Sequence, residues 1–380
     1  TGKTRTLTAY VRHVVDKGGS VLVTAHSNQA VDNLIAGDST LGQIDGGTLH
    51  SMAQEVGSKL SIARVGDGSS NRVVNHFYGT IDPERADVIA TTTNGASRFD
   101  TDQFDVAVVD EATQASRPAT AIALNCAKKL VLAGDHKQLW PYAADEKMQE
   151  EEMHISLFED ILAQYGEEIS LLLRRQYRMN ERIAAFPNQE FYDGLLETAE
   201  RNRSWQVNDL KPLVGINVSG TEQQQSESRS YINRDESAWV ARQVKLLLIE
   251  GVQPTDIGVI SAYTGQIPAI ERELMDLDNS GTGQIMVKTV DSFQGGERDA
   301  IIVSFVRSND QGQSGFLELP EEGARRLNVA LTRSRKRLVL IGDWNTLGTV
   351  APHRTREESC APRYAALAEH LKSRGLMKEA

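Results

Sequence analysis

The sequence predicts an α/β protein built from two parallel-sheet domains, and three features carry that reading. Short apolar segments of strand length alternate with helical patterns along the whole chain. Those segments are apolar throughout and rich in β-branched residues, as expected for parallel strands buried on both faces. The alternation of strand and helix also occurs twice, before and after about residue 168, which argues for two sheets rather than one.

In the first series, strands are predicted over 21–26, 87–92, 104–110 and 129–135, with helices over 5–16 and 28–35. Gly18-Gly19 punctuates the first helix. The second series places strands over 214–218, 257–263, 285–290, 300–306 and 337–342, with helices over 234–250, 266–276 and 322–334. Residues 42–85, rich in Gly, Ser and Asp, read as an insertion without a strand ladder. Glu222–Ser230 is polar enough to be a mobile surface loop, and 361–377 reads as one amphipathic helix. The expected organisation is a first domain over 1–168 with a short insertion at about 40–85, a second over 169–350, and a helical tail over 351–380.

Composition narrows the class. With 40% hydrophobic and 24% charged residues, the 380-residue chain has a globular balance,. No run approaches the roughly 18 apolar residues of a membrane span, and no membrane association is expected. The two cysteines, Cys126 and Cys360, lack metal-ligand spacing and are too few for a disulfide scaffold, so a reducing cytoplasm is the default. A net charge of −11 argues against a surface coated for gripping duplex DNA,. It leaves room for contacts confined to one cleft.

The chemistry begins at residue 1. Thr1-Gly2-Lys3-Thr4-Arg5, followed by a helix, reads as the end of a phosphate-binding loop. Lys3 would reach the β- and γ-phosphates of ATP, Thr4 would ligate Mg²⁺, and Gly2 and Arg5 would flank the same nucleotide. On its own, this could equally be an ordinary helix start. The buried segment 104–110, however, ends in Asp110-Glu111, placing carboxylates at the edge of an open parallel sheet where ligand chemistry sits,. Asp110 suits Mg²⁺ and Glu111 suits proton abstraction from an attacking water. A third polar loop, Gly134–Leu139, offers Gln138 to sense the γ-phosphate. Ser27 and Asn28, which open a helix after a strand, and Thr91, Thr92 and Thr289 at strand ends, are candidate contacts to a nucleic-acid backbone,. His50 reads as a loop histidine, and Phe293 and Tyr263 as packed aromatics.

Taken in order, the motifs resemble those of superfamily 1 helicases of the Upf-like (DNA2/NAM7-like) group of P-loop NTPases. VTAHSNQAVDNL (23–34), ATTTNGAS (90–97), DEATQ (110–114), GDHKQL (134–139), QYRMNERIAAFPNQEFYDGLL (176–196), SYINRDES (230–237), VISAYTGQI (259–267), VKTVDSFQGGERDAIIVSFVRSN (287–309) and RRLNVALTRSRKRLVLIGD (325–343) each have a counterpart there. The likeness omits only 40–85 and about the last 30 residues.

The resemblance implies two RecA-like P-loop NTPase domains with parallel sheets flanked by helices, and ATP with Mg²⁺ in the cleft between them. It further implies a motor that moves 5′→3′ on single-stranded DNA or RNA; a monomer is the expected state. Arg178 and Arg333 stand where the family places arginine fingers, Glu297 where it binds ribose, and Gln266 where it contacts ATP or the strand. Arg326 and Arg333, seven residues apart, would share a helix face; for Arg326, Arg335 and Arg337 the alternative is a solvated basic stripe. The chain departs from the family's pattern at Trp140 and Gly296. The glycines upstream of the phosphate loop do not precede Thr1, so residues 1–380 alone are expected to bind ATP poorly. The competing readings are a translocase that displaces proteins without unwinding, and a binding module that grips nucleic acid in response to nucleotide.

Overall fold

The structure, a computed structural model, describes residues 2–66, 69–141, 155–226, 228, 230–277, 281–293 and 296–380. Thr1 of the phosphate loop, Gln294 and Gly295 of the FQGGERD motif, and parts of the insertion and of the Glu222–Ser230 patch lie outside the described residues. Two compact units divide between Leu173 and Arg174, five residues beyond the boundary expected from sequence.

The first unit carries five strands, β1 (Val21–Ala25), β2 (Ile62–Arg64), β3 (Val88–Thr92), β4 (Val106–Asp110) and β5 (Leu130–Leu132). All are parallel, in the order β2-β3-β1-β4-β5. Alternate residues serve opposite faces. Val21, Val23 and Ala25 join a core with Leu7 and Val11 of helix α1 (Lys3–Asp16) and Val31, Leu34 and Ile35 of α2 (Asn28–Ile35). Leu22 joins Ala107, Val109, Phe104 and Ala123 on the other face. Both faces are covered, which is why the strands read as unbroken apolar runs. Parallel register brings every polar strand end to one edge. Ser27 and Asn28 follow β1, Thr91 and Thr92 end β3, Asp110 ends β4, and Asp135 follows β5.

The insertion is not free of strands, as its composition had suggested. Ile62–Arg64 extends the sheet edge, pairing in parallel with Val88–Ala90. Its Ile62 and Ala63 are fully buried, so the strand forms through tertiary packing and not through local pattern.

The second unit carries six parallel strands, β6 (Leu213–Asn217), β7 (Ile257–Ser261), β8 (Met286–Thr289), β9 (Arg298–Ser304), β10 (Ser334–Gly342) and β11 (Met377–Glu379), ordered β8-β7-β9-β10-β6-β11. Helices α3 (Glu181–Phe191), α4 (Arg234–Ile249), α5 (Gln266–Met275), α6 (Pro320–Leu331) and α7 (Ala361–Ser373) flank them. Three expectations need correction here. The C-terminal stretch is not one helix: Gly375, at φ 61°, reverses the chain after α7, and Met377–Glu379 adds β11 beside β6. A side chain at Gly215 of β6 would meet Leu371 at 2.7 Å, so the tail packs directly on the sheet. The polar patch is partly pinned: Glu222 holds Arg307 at 2.8 and 3.0 Å, and Gln223–Gln224 pairs with Tyr231–Ile232. Finally, α6 ends at Leu331, so Arg333 lies beyond the helix and does not share a face with Arg326.

The turn after β9 is strained. Val306 is buried with φ 76°, a conformation that costs a β-branched residue on the order of 1–3 kcal/mol. Glu236 and the helix-capping Asn233 of α4 hold its peptide: Val306 N donates to Glu236 Oε2 (2.9 Å) and Asn233 Nδ2 donates to Val306 O (3.2 Å). Burial pushes the Glu236 carboxyl up to about 8, against its hydrogen bonds from Ser304 and Val306 and helped by nearby Asp343. Because the folded pKa lies above the unfolded one, the folded chain keeps a proton that the unfolded chain loses. Stability therefore falls as pH rises from about 5 to about 8. Thermal melting across that range should show this slope in the parent and a flatter one in Glu236→Gln. Equal slopes would refute the assignment.

Candidate functional site

In the first unit, the helix start, the β4 end and the loop after β5 converge. Lys3 Nζ donates to Glu111 Oε2 at 3.2 Å. Burial favours a neutral amine, yet the carboxylates of Glu111, Asp110 and Asp135 outweigh it and raise the Lys3 pKa. The Asp110 carboxyl is raised as well, by burial first and then by Glu111, while Lys3 and the Glu111 N–H (2.9 Å) pull the other way. Glu111 sits at φ 48°, ψ 41°, left-handed backbone unusual for a residue with a side chain. The observed strain sits where the sequence had placed the catalytic base.

The loop after β5 approaches this turn closely. Ala112 N donates to Ala133 O (2.8 Å), and a Cβ at Gly134 would strike Thr113 at 2.8 Å. Asp135 then accepts from Lys137 N (3.1 Å) and from Gln138 Nε2 (2.8 Å). Trp140 donates its indole N–H to Glu159 (2.9 Å), a local partner for that departure from the family's pattern. His26, just after β1, lies within electrostatic reach of Glu111, which opposes the lowering of its pKa by burial. Sequence reasoning missed His26; its place at the end of a strand in the motif-bearing series was the available signal.

Arg5 is exposed and donates to Gly46 O (3.2 Å) of the insertion. Ser27 caps α2 by accepting from Ala30 N (3.2 Å). Thr92 accepts from Gly95 N (3.1 Å). Thr91 is 1% exposed, so its hydroxyl is not offered to a strand, contrary to expectation. His50 is buried against Tyr78 OH (2.7 Å).

A second constellation forms in the second unit. Arg298 N donates to Arg333 O (3.1 Å) and Asn180 N to Arg335 O (2.9 Å), which gathers three motifs. Glu297 accepts from Arg178 Nε and, at 2.7 Å, from Arg335 Nη2. Burial alone would raise this carboxyl; the two guanidiniums instead lower it to about 2. Arg178 also donates to Thr332 O (3.0 Å). Arg333 is buried, donating Nε to Val329 O (3.2 Å) and Nη2 to Thr332 Oγ1 (3.2 Å).

The solvated-stripe alternative does not hold: Arg326 pairs with Asp291 and Glu322, Arg335 with Glu297, and Arg337 is buried and bonds Lys211 O (2.7 Å). Gln266 is also corrected. It is fully buried, and its amide is consumed by Asn233 N and O (2.8 Å each) and by Ser304 (3.2 Å), so it braces α4 rather than touching ligand. Thr289 bonds Ser292 Oγ (3.1 Å). Phe293 and Tyr263 are packed, as expected. Tyr177, 40% exposed beside Arg178, lines a groove of about 910 Å³ with Arg201 over its ring at 5.0 Å. Its adjacency to Arg178 was the only sequence signal.

Two family models, both described as AAA domain, match residues 153–345, just over half of the chain, and 83–145. Among curated proteins, the chain is 39% identical to the "Uncharacterized ATP-dependent helicase MJ0104" of Methanocaldococcus jannaschii, over 69% of this chain and 40% of that protein. It is 33% identical to the "DNA replication ATP-dependent helicase/nuclease DNA2" of Xenopus laevis, over 91% of this chain and 35% of that one. Against the "ATP-dependent helicase NAM7" of Saccharomyces cerevisiae it is 33% identical, over 91% and 39%. The chain thus spans roughly 35–40% of the length of these three relatives.

Proposed function

The chain belongs to the DNA2/Upf1-like superfamily 1 helicases, and on that premise we propose that it is the motor of an ATP-dependent helicase or translocase. In this reading it couples ATP hydrolysis to 5′→3′ movement on single-stranded nucleic acid, as a monomer in a reducing cytoplasm. The observation that carries the proposal is the junction of Lys3, Asp110 and Glu111 at one sheet edge, with Asp135 and Gln138 on the adjoining loop. ATP phosphates compete with Glu111 for Lys3, and the released carboxylate is then free to take a proton from water.

Mg²⁺ fits this edge. Three carboxylates face a single ammonium, and Asp110 titrates high. Among the described residues, no three His, Cys, Asp or Glu side chains form a cage of their own; a cation held partly by nucleotide phosphates needs none. Thr4 and Asp110 would hold it, and it would neutralise charge on the phosphates. Gln138 senses the γ-phosphate, Arg178 and Arg333 stabilise the transferring phosphoryl group, and Glu297 binds ribose. Ser27, Asn28, Thr92 and Thr289 contact the strand backbone.

Displacement assays test the reading. ATP should drive release of a labelled strand from a 5′-tailed duplex and of streptavidin from a biotinylated end. Streptavidin release alone would identify a translocase that does not unwind. ATP-responsive binding with neither release would identify a binding module and overturn the motor.

A further inference from the structure

We propose that Arg64 is a positioning residue for nucleic-acid binding, holding the Asn28 amide so that only its N–H donors face the strand. The inference rests on the reading that this sheet edge carries nucleic acid. It begins with the three-residue strand that composition did not reveal. Arg64 ends that strand, 6% exposed, and its guanidinium is spread over three acceptors: Asp32 Oδ1 at 3.1 Å, Val65 O at 2.6 Å and Asn28 Oδ1 at 2.6 Å. Asp32 is buried too, and its second oxygen takes the Ser69 hydroxyl at 2.8 Å.

The chemical consequence follows from what a guanidinium lacks. Arginine has donors and no acceptor, so it can engage an amide only through the oxygen. With Oδ1 taken, Asn28 is left with Nδ2, which makes no hydrogen bond among the described residues. An asparagine free to flip would offer a ligand either a donor or an acceptor. The clamped one keeps its oxygen on Arg64 and leaves its two N–H donors as the groups with no hydrogen bond among the described residues. Phosphate oxygens are acceptors only, whereas base edges mix both kinds. A donor-only group therefore suits the backbone of any sequence, DNA or RNA. The lesser role for Arg64, simply neutralising Asp32, needs only the Nε contact and leaves the 2.6 Å bond to Asn28 without purpose.

Asn28→Asp separates the two roles. An aspartate keeps the acceptor that Arg64 grips, so the fold is preserved, but it replaces the N–H donors with a carboxylate oxygen. Affinity for a fluorescent oligo-dT or oligo-U should fall by roughly tenfold or more at low salt. The deficit should shrink as salt rises, because it includes repulsion between carboxylate and phosphate, while the melting temperature stays at the parent value. Arg64→Lys retains a cation for Asp32 but cannot span all three acceptors. It should weaken binding in the same direction with Asn28 untouched. Parent-like affinity in either variant overturns the proposal, as does a salt-independent loss accompanied by a lower melting temperature. A parent protein that binds neither oligonucleotide overturns the functional reading itself, and this inference with it.

Discussion

Glu111→Gln is expected to leave ATP binding intact while lowering hydrolysis by roughly 10²-fold or more. The amide keeps an oxygen for the bonds from Lys3 (3.2 Å) and Gln114 (3.5 Å), so those two contacts survive. It matches the carboxylate in size and meets the left-handed backbone at φ 48° on the same terms. What disappears is the capacity to accept a proton. Nucleotide affinity measured with a fluorescent analogue, beside steady-state phosphate release, separates the two properties. A variant that hydrolyses ATP at the parent rate would remove Glu111 from the mechanism.

Arg333→Ala should have the larger effect, slowing nucleic-acid-stimulated hydrolysis by about 10³-fold with little change in nucleotide affinity. Among its hydrogen bonds the guanidinium donates to Val329 O and Thr332 Oγ1. A phosphate oxygen would add attraction between opposite charges, and a bidentate fit, to the hydrogen bonds a guanidinium makes. An arginine engaged in this way acts on charge that develops during transfer, so turnover carries the loss. Because the side chain is buried, a melting curve must accompany the rate. Normal maximal ATPase with weakened strand affinity would make Arg333 a nucleic-acid contact instead.

Much of this architecture was legible in the sequence because it depends on local pattern. Val21–Ala25 and Val106–Asp110 are apolar on both faces, and that alone marks them as central parallel strands,. The junction of Lys3, Asp110 and Glu111 was legible because each residue stands at the end or start of such an element. Other features depend on partners far along the chain. Ile62–Arg64 is too short to show a period and contains an arginine, whose partners Asn28 and Asp32 lie 36 and 32 residues away. Gln266 looked like a ligand contact because nothing nearby reveals Asn233, 33 residues earlier, which consumes most of its amide. Met377–Glu379 is a strand chiefly because the edge of β6 was open to it. The break in α6 before Arg333 escaped for a related reason: the hydrophobic pattern runs on through Leu331, while Thr332 turns its hydroxyl back to Asn328 O at 2.7 Å.

The central claim is that ATP hydrolysis at the Lys3–Glu111 edge is coupled to a nucleic-acid strand. Its most direct test is the steady-state ATPase rate of the intact protein with single-stranded DNA, with single-stranded RNA and with neither. The coupled motor predicts a low basal rate that rises when a strand is added. The larger of the two stimulated rates would identify the preferred strand. A rate unchanged by either nucleic acid, in protein that binds ATP, would contradict the account.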